Sequence, residues 1–126
     1  MKKEVQTLLK TLKSMKEFKK VKFIFIYGSE VTGGKLRTSD VDFCIYYDTN
    51  SKEEMEKFRL KLLSKLPENF DVQIFQLLPL FVRKEVLKGK LVYAENEEFV
   101  YQKAYETLED FEAFKRHYYD YIGMLK

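Results

Sequence analysis

The chain reads as an α/β protein: a mixed, twisted sheet flanked by helices, with a long helical segment at the C-terminus. Two observations predict it. Extended apolar runs at 22–27, 40–47 and 70–75 alternate with stretches whose apolar residues recur at helical spacing. Helix-start and helix-stop residues punctuate the boundaries: Ser51 ahead of Glu54, Pro67, Pro79, Gly89 and Asn96. At 126 residues the sequence predicts one domain, 1–126, with a single sizeable core.

The first element is a helix over 2–19, because Val5, Leu8, Leu9, Leu12 and Met15 share one face. Its lysines form the solvated side. Val21 and Lys22 lead into Phe23-Ile24-Phe25-Ile26, a continuous aromatic and β-branched run that suits a central, buried strand at 22–27. A short helix or turn is expected at 30–36, and a second strand from Asp40 to Tyr47. Ser51-x-x-Glu54 is a capping box opening a helix that carries Met55, Phe58, Leu62, Leu63 and Leu66 and closes at Pro67. A third strand follows at Phe70–Phe75, with Asp71 and Gln73 on one face and Val72 and Ile74 on the other. Pro79 in a first turn and Gly89 as C-terminal cap delimit a helix over 79–88. Leu91–Ala94 is a short strand. Asn96 caps a final helix with Val100, Ala104, Leu108, Phe111 and Tyr118 as its buried stripe and a break near Glu109-Asp110.

Composition narrows the function. Hydrophobic residues make up 45% and aromatic ones 16%, which excludes a disordered chain. Charged residues are 34% but sum to only +3, which argues against a dedicated nucleic-acid binder. The charge is unevenly spread: residues 1–22 hold eight lysines against Glu4 and Glu17, and residues 95–112 hold seven acids against Lys103. Such opposed segments suit a protein partner, or each other. Cys44 is the only cysteine, so no internal disulfide forms and a reducing cytoplasm is the expected location. Its plainest role is a small buried core residue. No secretory signal and no apolar run long enough to span a membrane is present in these residues.

The chemistry concentrates in Tyr27–Ile45, YGSEVTGGKLRTSDVDFCI. On a strand, Asp40 and Asp42 project to one side while Val41, Phe43 and Ile45 project to the other. Two adjacent carboxylates repel, and burying them unpaired costs several kcal/mol. A divalent cation is the cheapest compensation, and oxygen donors without nearby His or Cys suit Mg²⁺ or Mn²⁺ rather than zinc. Magnesium fills its remaining positions with substrate phosphates and water. Gly28 and Ser29, where the first strand ends, have the backbone freedom and donors to cradle a phosphate.

Gly28, Ser29, Gly33, Ser39, Asp40 and Asp42 meet every fixed position of GSxxxGxxxxxSDxD. This resembles the signature of the DNA polymerase β-type nucleotidyltransferase superfamily, and the short chain is most similar to its minimal nucleotidyltransferases, the MNT family. The resemblance supplies a third carboxylate on a later strand, which Phe70-Asp71-Val72 matches, and it runs on through the proline-led helix and the acidic, aromatic C-terminal segment. It implies that Asp40, Asp42 and Asp71 are the metal-binding and catalytic residues, and these three converge only if the second and third strands are neighbours.

 The resemblance implies that these strands are neighbours, as in the family. Gly28, Ser29 and Ser39 are implied to bind nucleotide, with ATP as substrate and two Mg²⁺ ions as cofactors.

The family resemblance also implies a partner. MNT proteins are typically antitoxins paired with HEPN ribonucleases, and they transfer AMP to a tyrosine of that toxin. His117 has no arginine at the spacing of the HEPN motif and reads as a surface residue, so this chain is not the nuclease. One departure stands out: relatives commonly read GSRARG where this chain has GSEVTG, which puts Glu30 and Thr32 in place of two arginines. That departure favours, as an alternative, a non-catalytic partner that binds nucleotide or masks a toxin. A small-molecule transferase resembling the aminoglycoside nucleotidyltransferases is a further alternative, and a nucleic-acid polymerase is the least supported. The C-terminal aromatics, Phe99, Tyr101, Tyr105, Phe111, Phe114, Tyr118, Tyr119 and Tyr121, cannot all share one helical face, so part of them is expected to form a protein interface or oligomer contact.

Overall fold

The computed structural model describes residues 2–28 and 41–124. Its elements are α1 (Lys2–Lys13), a 3₁₀ turn (Lys16–Lys20), β1 (Val21–Tyr27), β2 (Val41–Tyr47), α2 (Lys52–Leu63), β3 (Phe70–Ile74), a 3₁₀ turn (Phe75–Leu77), α3 (Leu80–Leu87), β4 (Lys90–Ala94) and α4 (Glu97–Met124). The strands form one mixed sheet in the order β3-β2-β1-β4. β1 is antiparallel to both of its neighbours, and β2 runs parallel to β3. The expected α/β class, the mixed sheet and the adjacency of the second and third strands are all present. The apolar run of β1 does occupy a central position.

Strand alternation divides the core into two layers. Ile24 and Ile26 of β1, Val41, Phe43, Ile45 and Tyr47 of β2, and Phe70, Val72 and Ile74 of β3 pack with Leu8 and Leu12 of α1 and with Met55, Phe58 and Leu62 of α2. Phe23, Phe25 and Cys44 face the other way and pack with Phe75, Val86 of α3 and Val100 of α4. A register shift between Val21 and Phe23 lets these two residues, despite their even spacing, face opposite layers.

Several boundaries differ from expectation for identifiable reasons. The first helix ends at Lys13 because Met15 is extended and turns its buried side chain into the core. Ser51 caps α2 by accepting from the Glu54 N–H, but Glu54 bonds Thr49 instead of reaching back to Ser51, so the capping box is half made. Pro79 is the N-cap of α3, one residue before the helix. Gly89 does not adopt the positive φ of a glycine cap; a Cβ there would collide with the Ile26 carbonyl oxygen, so its small size serves the approach of α3's end to β1.

The last helix is capped as expected, with Asn96 Oδ1 accepting from the Glu98 and Phe99 N–H groups. It is continuous through Glu109-Asp110, without the expected break. The expected stripe is only partly correct. Val100 is buried, Leu108 and Tyr118 are exposed, and Thr107 occupies the buried position between turns. Among the described residues no helix is long and apolar enough to cross a membrane.

Candidate functional site

The site lies where β1 ends and where β2 and β3 begin. Because β2 and β3 are parallel, their first turns of chain stand at the same edge of the sheet. Asp42 and Asp71 are Cα partners in the parallel ladder, about 4.8 Å apart by ordinary strand spacing. Their neighbours Val41, Phe43, Phe70 and Val72 belong to the α1/α2 layer, so alternation turns both carboxylates to the opposite face. On the other side of β2, Tyr27 is the Cα partner of Asp42. The chain then turns at Gly28, whose φ of 96° is a conformation that side-chain-bearing residues rarely adopt.

Gly28 also leaves room for a carboxylate. A Cβ at that position would stand 2.6 Å from Asp42 Oδ2. Asp71 is held from the other direction: Gln73, two residues along β3 and on the same face, donates from Nε2 to Asp71 Oδ2 at 3.1 Å. Both residues are half-buried. Cys44 lies beneath, fully buried, and burial pushes its thiol well above the ordinary range. It is a neutral floor, as expected of a core cysteine, rather than a nucleophile. The Tyr27 hydroxyl is also raised, first by burial and further by the negative charge of the Asp42 and Asp71 carboxylates.

Of the residues expected at the site, Gly28, Asp42 and Asp71 are brought together. Ser29, Ser39 and Asp40 lie outside the described residues, as do Glu30, Thr32, Lys35 and Arg37. Among the described residues no cluster of three metal-ligating side chains occurs. The two carboxylates that are described nevertheless fit a hard divalent cation: the donors are oxygens, they are in register on adjacent strands, and a missing Cβ keeps space beside one of them. Tyr27 and Gln73 are the additions that sequence reasoning did not assign to the site. The strand alternation that pairs Gln73 with Asp71 on one face was the available signal.

A second feature lies along α4. Tyr101, Tyr105, Leu108, Phe114, Tyr118 and Tyr119 are exposed, and so is Phe81 of α3. Phe114 and Tyr118 stack with ring centroids 6.4 Å apart. His117 is exposed, as expected of a surface residue.

Comparison with known proteins identifies the family. The family model described as polymerase beta nucleotidyltransferase matches residues 9–98. A Methanocaldococcus jannaschii protein provisionally named a protein adenylyltransferase is 34% identical over 74 residues, which cover 58% of this chain and 55% of that protein. The chain thus spans about half the length of that relative. Among solved structures, a chain of a toxin–antitoxin complex with AMP-PNP superposes with a TM-score of 0.74 at 20% identity, covering 96% of this chain and 97% of that one. A chain of the complex between tri-AMPylated Shewanella oneidensis HEPN toxin and MNT antitoxin gives 0.70 at 17% identity, covering 98% and 97%. At these identities the structural matches establish a shared fold. With the family model matched over most of its length, and with Gly28, Asp42 and Asp71 assembled at one sheet edge, this chain belongs to the polymerase beta nucleotidyltransferase family.

Proposed function

We propose that this protein is a metal-dependent adenylyltransferase that moves AMP from ATP to a tyrosine hydroxyl of a HEPN-family toxin, as the antitoxin of the pair. The observation that carries the reading is the in-register pair Asp42 and Asp71 beside the glycine turn at residue 28. The names of the similar proteins support it, since they include a protein adenylyltransferase, an AMP-PNP complex and an AMPylated HEPN toxin.

In this reading Asp42, with Asp40, would hold Mg²⁺, and Asp71 would share a second ion with them. Bound there, the metal supplies charge neutralisation for the triphosphate and its leaving pyrophosphate. Gly28 keeps the backbone close to the phosphates, while Ser29 and Ser39 donate to phosphate oxygens. Asp71 takes the proton of the acceptor hydroxyl. The phenolic oxygen then forms a bond to the α-phosphorus as the bond to the β-phosphate oxygen breaks, and pyrophosphate leaves. Tyr27, kept protonated by its surroundings, adds no negative charge where the triphosphate would sit.

The test is mass spectrometry of a HEPN-family partner after incubation with this protein, ATP and Mg²⁺. The expected result is a gain in steps of one AMP on a tyrosine. A wild-type protein that neutralises the toxin without ATP and leaves its mass unchanged would replace catalysis with masking.

A further inference from the structure

Asp71 carries the heaviest chemical duty in the proposed reaction, yet it is half-buried and reachable by solvent at the start of its strand. An aspartate in that situation has several accessible rotamers. To face Asp42 across the ladder, its carboxylate needs a partner that selects one of them. Gln73 is such a partner. It is two residues further along β3, so strand alternation places it on the same face, and it donates to Asp71 Oδ2 at 3.1 Å. The amide orientation follows from chemistry as well as from geometry. An ionised carboxylate only accepts, so the amide must present its NH₂ and turn its oxygen away.

The position of Gln73 is itself fixed. Its Cα partner across the parallel ladder is Cys44, which is fully buried and neutral. The flanking residues Val72 and Ile74 are buried in the α1/α2 layer, which locks the backbone of β3 on either side. A glutamine on a rigid strand, over an apolar floor and beside a carboxylate, has little freedom to do anything else.

We propose that Gln73 is a positioning residue: it holds one oxygen of Asp71 along β3, so that the other is directed to the space shared with Asp42. This inference rests on the adenylyltransferase reading, because it assigns Asp71 to the reacting centre. Gln73 acts through Asp71 and has no contact with substrate in this role. The proposal concerns geometry, and the effect of losing Gln73 should fall on metal affinity and turnover more than on ATP recognition.

The experiment compares wild type, Gln73→Met, Gln73→Glu and Asp71→Asn. Methionine keeps the length and apolar stem without a donor, and glutamate places a second carboxylate against Asp71. Titration calorimetry measures Mg²⁺ binding to each protein in the presence of AMP-PNP, and thermal unfolding is followed alongside. Gln73→Met should weaken Mg²⁺ binding about tenfold, the scale of one charge-assisted hydrogen bond. It should lower kcat by a similar factor, leave KM for ATP within about twofold, and keep the unfolding temperature of wild type. Gln73→Glu should alter Mg²⁺ affinity in the same assay, because the new carboxylate either repels Asp71 or joins it on the metal. Wild-type Mg²⁺ affinity and kcat in Gln73→Met would overturn the inference while leaving the function intact. A wild-type protein that binds no Mg·AMP-PNP would overturn the function and the inference together.

Discussion

Gly28 and Asp42 are matched in space: a Cβ on the first would stand 2.6 Å from Oδ2 of the second. The glycine is needed twice over, because φ is 96° at the same position. Gly28→Ala should therefore destabilise the fold by about 2 kcal/mol, combining backbone strain with displacement of the carboxylate. The two parts are separable by a double-mutant cycle with Asp42→Ala. Removing the carboxylate should recover the steric part and leave the backbone part, as read from denaturant midpoints. Additive losses in the cycle would mean that the two residues do not meet.

The carboxylates themselves should divide into two roles. Asp40→Asn with Asp42→Asn should abolish Mg²⁺-dependent ATP binding and leave the fold as stable or more so, since like charges are relieved. Asp71→Asn should still bind Mg·ATP through Asp40 and Asp42, with Mg²⁺ affinity lowered at least as far as in Gln73→Met, but transfer AMP more slowly by roughly 10²–10⁴-fold, the range for loss of a general base. Calorimetry and single-turnover labelling check the two halves separately. An Asp71→Asn protein as fast as wild type would remove Asp71 from the mechanism.

Far from the site, Lys61 of α2 donates to Glu17 at 2.8 Å and ties α2 to the turn after α1. That hydrogen bond is the main reason the Glu17 carboxyl is held below its ordinary range, against the opposing effect of burial. A carboxylate with a lowered folded-state pKa contributes stability in full above its unfolded value of 4.5, and the contribution is lost as pH falls through the folded value. Lys61 is 45% exposed, so solvent screening keeps the contribution near 0.5 kcal/mol. Glu17→Gln should cost about that much at pH 7 and nothing once the pH is below both values. Denaturation curves at the two pH values check it.

The exposed rings of α4 should matter to binding and little to stability. Phe114→Ser and Tyr118→Ser remove side chains that are 57% and 52% exposed. Each should change unfolding free energy by less than about 0.5 kcal/mol, as surface substitutions do. If this face carries the partner, either change should weaken the complex at least tenfold in a pull-down or calorimetric titration. Undiminished affinity in both would place the interface elsewhere.

The class and element order were legible because they depend on local signals. Phe23–Ile26, Ser51, Asn96 and the helical spacing of Leu8 and Leu12 all act within one element. The adjacency of Asp42 and Asp71 is different, since no local pattern says which strands pair; family resemblance, not periodicity, supplied it. Gly89 shows the limit from the other side. A glycine after a helix looks like a cap, but the Ile26 carbonyl, remote in sequence, is what excludes a side chain there. Leu108 and Tyr118 were misplaced because periodicity says which way a residue points and not whether anything lies opposite it. Thr107, polar and therefore passed over, fills the buried position and returns its hydroxyl to the Lys103 carbonyl.

The 28-residue α4 is about 42 Å long, and from Glu112 to Asp120 only Ala113 and Lys115 are even half-buried. Its last 14 residues, from Phe111 to Met124, therefore form a segment whose isolated helicity in water would be marginal. A helix of that kind is held by its neighbour through mass action: its intact fraction rises with the concentration of whatever covers it. Protease sensitivity of this terminal arm would then report occupancy, with the lone chain trimmed back toward Glu112 and the covered chain left whole.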